Sequence, residues 1–98
     1  MTEKTIVNPM VGRNCIVRTY SAGVHWGHVE YVLGKEVYLT SSIRIWCWEG
    51  GGLSLSAIAN EGMKGGRTER TGEILLTEAI ELIPTTELAE KTYEECLE

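Results

Sequence analysis

The sequence contains no long apolar run, no paired cysteine spacing and little clustered positive charge. No stretch approaches the roughly 20 apolar residues that cross a bilayer, so no membrane partner is expected. The opening Met1-Thr-Glu-Lys has no basic segment leading into an apolar one, so no secretory leader is read there. Cys15, Cys47 and Cys96 are odd in number, widely spaced and outside any CxxC, which excludes a disulfide framework and a zinc knuckle. These absences point to the cytosol. Cys15 and Cys47 sit in apolar alternation and are expected to be small buried hydrophobes, with Cys96 the reactive thiol. A net charge of -5 argues against binding a nucleic acid polymer, which needs clustered Lys and Arg. The patterns GxSxG, GxxxxGK[ST] and GxGxxG are missing, so nothing marks a serine nucleophile or a nucleotide phosphate loop. No cofactor is implied.

What is present reads as one domain over residues 1–98, with an N-terminal arm (1–10), a β-rich core (11–84) and a C-terminal helix (85–98). Asn8-Pro9 is a turn signal in the arm. Alternating β-branched residues predict a strand from about Arg13 to Tyr20, closed by Ser21-Ala22-Gly23. A second strand runs to Leu33. Gly34-Lys35, with glycine first, suits a type II′ hairpin turn into a third strand over Glu36 to Thr40. "IRIWCW" is read as a fourth strand, ended by Gly50-Gly51-Gly52.

The period then changes. In "LSLSAIANEG", Leu55, Ile58 and Ala59 share a helical face, Ser54 is the N-cap and Gly62 the C-terminal glycine. "MKGGRTERTG" is polar and glycine-rich and is expected to be a loop. "EILLTEAIELI" is expected to be one strand, with Ile74, Leu76, Ile80 and Leu82 in phase, Glu78 interrupting and Pro84 stopping it. The tail predicts a helix capped by Thr85 or Thr86, with a stripe of Leu88, Thr92, Tyr93, Cys96 and Leu97 and an i,i+4 pair Glu87–Lys91. The expected class is α+β: a small antiparallel sheet of about five strands, strongly curved in the SH3-like manner, with one short inserted helix and a C-terminal helix. So small a core is expected to be supplemented by homo-oligomerisation.

Candidate binding residues come from two stretches. Strand alternation in "SSIRIWCWEGGG" puts Ile43, Ile45 and Cys47 on a core face and Arg44, Trp46 and Trp48 on the other. A tryptophan stack with a base is worth about 1–3 kcal/mol, and arginine pairs with phosphate. In "RTYSAGVHWGH", Arg18 and Tyr20 share a face beside the small-residue loop at Ser21, whose backbone N–H groups suit an anion. His25 and His28, three apart, fall on opposite strand faces and make no metal pair.

"VRTYSAGVH", "GKEVYL", "RIWCW", "LSLSAIANEG" and "EILLTEAIELIP" together resemble a family of small phage-encoded proteins of uncharacterised function, over about Asn14 to Pro84. The family's aromatic run is R-x-W-Y-W-like; Cys47 stands between the tryptophans here, which narrows the aromatic surface. The resemblance implies a phage accessory protein in the host bacterial cytoplasm. By analogy, the expected role is to sequester a nucleotide-derived bacterial immune signal without catalysis. Arg18 and Arg44 would hold phosphate, Trp46 or Trp48 the base, and Tyr20, Ser21 and His25 would supply hydrogen bonds. The alternatives are a module that binds and inhibits a host protein, and an enzyme degrading the signal with His25 as acid or base.

Overall fold

A computed structural model describes residues 8–49 and 54–97. In chain order it contains β1 (Asn14–Thr19), β2 (Val24–Leu33), β3 (Glu36–Glu49), α1 (Leu55–Glu61), β4 (Gly65–Leu76), β5 (Ala79–Pro84) and α2 (Glu87–Glu95). The strands form one five-stranded antiparallel sheet in the order β4-β3-β2-β1-β5, with both helices on it, so the class is α+β. Among the described residues β4 and β5 are opposite edges and do not pair with each other, so the ladder is open. SH3-like closure is not part of it. The triple glycine at 50–52 lies outside the described residues, as do the first seven of the arm.

The turn chemistry was legible. Asn8 starts a turn, its Oδ1 accepting from the Met10 N–H at 2.9 Å. Gly34 has φ 60 and Lys35 does not enter the left-handed region, as a type II′ turn requires. Both helix starts follow the hydroxyl rule. Ser54 Oγ accepts from Ala57 N–H and Thr86 Oγ1 from Ala89 N–H, each at 3.1 Å. Gly62 closes α1 at φ 86, where a Cβ would lie 2.5 Å from Thr92 Oγ1.

The strand boundaries differ from expectation in three places. First, β3 is a single strand of 14 residues rather than two. Ser41 absorbs the irregularity with φ 50, and its neighbour Ser42 is held by Thr71 Oγ1 (2.6 Å) and Gly72 O (2.7 Å), so the strand bulges instead of ending. Second, the expected loop "MKGGRTERTG" supplies most of β4. An edge strand faces water and tolerates a charged, threonine-rich sequence that looks like a loop when read alone. Gly66 is required there: a Cβ would meet Cys47 O at 2.2 Å. Third, "EILLTEAIELI" is broken at Thr77-Glu78, which carries the chain from one sheet edge to the other. Leu76 before the break is buried and Ile80 after it is exposed.

Both faces of the sheet carry apolar clusters. On one, Ile16, Trp26, Ile43 and Ile45 pack against Ile58 and Ala59 of α1 and Ala89 and Tyr93 of α2. On the other, Cys15, Val17, Val29, Val37, Leu39 and Leu76 pack together. Cys15, Ile16 and Val17 are therefore all buried, although they alternate in direction. Each fully buried aliphatic side chain contributes about 1.5–3 kcal/mol. Tyr93 joins the helices to the core. Its ring centroid lies 5.6 Å from that of Trp26, and its hydroxyl donates to the Ile58 carbonyl. Ala89 and Tyr93 form the buried contact of α2, while Leu88 of the expected stripe is 65% exposed.

Candidate functional site

The residues proposed from sequence fall into three separate places. A register shift at Arg18/Thr19 precedes Tyr20, which lines a different groove from Arg18, and a bulge in β3 separates the tryptophans. Ile45 pairs with Thr68 and Cys47 with Arg67, so Trp46 is an extra residue without a partner on β4. A bulge re-aims the side chains that follow it. Trp46 is 57% exposed, Cys47 is exposed rather than buried, and Trp48 turns to pack against the helix-side cluster. The two tryptophans thus do not share a surface.

Trp48 meets Arg18 instead. A groove of about 440 Å³ is lined by Arg18, Trp48, Ser54, Leu55, Ser56 and Glu81, where β1, β5 and β3 approach the start of α1. Arg18 Nη1 lies 3.6 Å from Glu81 Oε1, and both side chains are about half exposed. An exposed pair of this kind holds Arg18 weakly, so its guanidinium is available to a competing anion. The groove offers an indole wall, one arginine and two hydroxyl-bearing residues.

Arg44 and Trp46 form the second place. The Arg44 Cζ stands 5.3 Å from the Trp46 ring centroid, a cation–π stack on the face opposite Ile43 and Ile45. His25 lies beneath, directly opposite Arg44 in the ladder and fully buried. Its Nε2 is 3.0 Å from Ala22 O, which can only accept, so Nε2 carries the proton and Nδ1 is a bare acceptor. Burial pushes the His25 pKa below its ordinary value; the Ala22 hydrogen bond opposes this and the Arg44 charge adds to it. The hydrogen-bonding capacity read for His25 is turned inward. His28, as expected, faces the other way, 3.1 Å from Asn14 Oδ1.

Tyr20 and Ser21 form the third. Tyr20 is 79% exposed beside a groove of about 500 Å³ shared with Lys35, Glu78, Ala79 and Ile80. Ser21 Oγ donates to Glu78 Oε1 at 2.8 Å, and Ala22 N–H donates to Thr19 Oγ1 at 2.9 Å. The loop that looked like an anion cradle is spent on internal contacts beside a carboxylate. Among the described residues no group of three His, Cys, Asp or Glu is placed to hold a metal.

One feature escaped the sequence reading. Tyr31 and Tyr38 pair across the β2–β3 hairpin with ring centroids 5.7 Å apart, and Leu75 of β4 stands next in the row. The signal was available, because both tyrosines are equidistant from the Gly34-Lys35 turn.

Neither the curated proteins nor the solved structures contain a match to this chain. A family model does match, over residues 12–93, which takes in all five strands, α1 and most of α2. The chain belongs to the family described as a domain of unknown function, DUF6948.

Proposed function

We propose that this chain is a non-catalytic phage accessory protein that sequesters a nucleotide-derived immune signal in the host bacterial cytoplasm. The observation that carries this reading is the meeting of Arg18 and Trp48 in one groove. There the base stacks on the indole, and the phosphate displaces Glu81 from Arg18. Ser54 and Ser56 stand at the same rim for ribose or phosphate oxygens. His25, sealed from solvent, is a poor candidate for the acid or base of a degrading enzyme. We also read the open sheet as strongly curved in the SH3-like manner. The hydrogen bond from Ala79 N–H to Lys35 O, 3.0 Å, supports this by bringing the start of β5 to the tip of the β2–β3 hairpin. Copies of the chain associating as a homo-oligomer complete the proposal.

The alternative is inhibition of a host protein. It is favoured by the exposed Arg44–Trp46 stack, since tryptophan and arginine are the residues most often found at energetic centres of interfaces.

The test is to incubate the purified protein with a panel of nucleotide-derived signalling molecules, remove unbound ligand, denature by heat and identify what is released. Sequestration returns the ligand unchanged, and Arg18→Ala weakens the retention. A chemically altered product points to an enzyme. No retained ligand from any nucleotide class rejects the reading.

A further inference from the structure

The β2–β3–β4 end carries, on the face opposite Val37, Leu39 and Leu76, a row that the groove above does not use. Tyr31, Tyr38 and Leu75 are consecutive cross-strand partners, and Leu33 stands beyond them on β2. Tyr31, Leu33 and Leu75 are exposed. The tyrosine rings are inclined by 33° at a centroid separation of 5.7 Å, so they present a shallow aromatic surface rather than a closed stack. Adjacent strands stand about 4.8 Å apart, so a row across three of them is about 10 Å long, the reach of more than one side chain.

Carboxylates border this row. A bulge places Glu30 beside it, where Glu30 Oε2 accepts from Thr40 Oγ1 at 2.7 Å and lies 3.8 Å from His28 Nε2. Glu73 approaches Tyr38 from β4. Burial, the Glu73 contact and the charges of Glu73 and Glu30 all push the Tyr38 hydroxyl pKa above its ordinary value, so the local potential is negative. Aromatic faces carry the negative end of a quadrupole, and neighbouring carboxylates add to it. Such a surface repels phosphate and attracts cations.

We propose that this face docks a basic protein segment, with an arginine or lysine laid over Tyr31 and Tyr38 between Glu30 and Glu73. Leu33 and Leu75 then take the apolar stem and an adjacent apolar side chain of the segment. The charge complementarity and the length of the row select a peptide over a small cation.

The test uses the full chain, isotope-labelled, titrated with the peptide acetyl-Gly-Arg-Leu-Arg-Gly-amide while amide signals are followed. Shifts are expected to centre on Tyr31, Tyr38, Glu73 and Leu75. Tyr31→Leu, at an exposed position, should weaken binding about fivefold, and Glu73→Gln should weaken it and flatten its salt dependence. Glu94→Gln on α2, which removes the same charge elsewhere, should change nothing. The proposal is overturned if the shifts map to α2, if Tyr31→Leu binds as well as the parent, or if millimolar peptide moves no signal. Tetramethylammonium binding as tightly as the peptide overturns the assignment to a protein segment.

Discussion

His25 and Arg44 stand directly opposite each other on β2 and β3, and each buries a nitrogen that has no hydrogen-bond partner. His25 Nδ1 offers a lone pair and Arg44 Nε a proton, so the two atoms are chemically complementary. A protonated His25 would instead present a second donor to an arginine. The site therefore requires a neutral imidazole, because burial and the Arg44 charge both disfavour the cation.

The first prediction follows from that requirement. Because the folded-state pKa of His25 lies below its unfolded value, the unfolded chain binds the proton more readily. Stability from this site is full above about pH 6.5 and is lost as the pH falls below it. The melting temperature should fall between about pH 7.5 and 5.5, above the range where most carboxylates titrate. His25→Gln, which cannot titrate, should show a flatter profile. Equal slopes for the two proteins would remove His25 as the cause.

The cysteines should react in an order set by exposure. Cys47 is exposed at the β3 bulge and should label first with a thiol reagent. Cys96 should follow, its thiol pushed up by burial and by the nearby Glu95. Cys15 is fully buried, with its pKa pushed up to about 11, and should label only on unfolding. Mass spectrometry after timed quenching gives the order directly, and early labelling of Cys15 would contradict the two-faced core.

The tryptophans should separate by melting and binding together. Trp46→Ala removes an exposed ring and should leave the melting temperature nearly unchanged, whereas Trp48→Ala should lower it through lost packing. Arg18→Ala should weaken ligand retention by about 1.5–3 kcal/mol, the worth of a charge-assisted hydrogen bond. Its effect on melting should be small because Arg18–Glu81 is an exposed pair. Retention that depends on Trp46 and not on Trp48 would move the site to the Arg44 face.

Tyr93→Phe tests how α2 is held. The substitution keeps the ring against Trp26 and leaves the Ile58 carbonyl with the Gly62 N–H alone, at a cost of about 0.5–1.5 kcal/mol. Denaturant unfolding should show a lower midpoint with an unchanged slope.

Local chemistry was the legible part of the sequence. Ser54, Gly62 and the Gly34-Lys35 turn each act through neighbours only a few residues away, so reading the chain in order found them. The errors came from long-range pairing. "GGRTERTG" has no apolar alternation, and only its ladder with β3 makes it a strand. Trp46 and Trp48 have the spacing of one face, and the unpaired residue on β3 that separates them is set by the register with β4. Arg18 and Trp48 are thirty residues apart in sequence, and nothing local announces that they share a groove.

The pairing of β1 with β5 has a consequence for how the chain is made. Cys15 is matched with Pro84, so one side of β1 waits for residues synthesised 69 positions later. The partner on its other side, β2, follows almost at once. A nascent chain halted before Ala79 would therefore hold a hydrophobic strand with an open row of backbone donors and acceptors, a template for joining another unfinished copy.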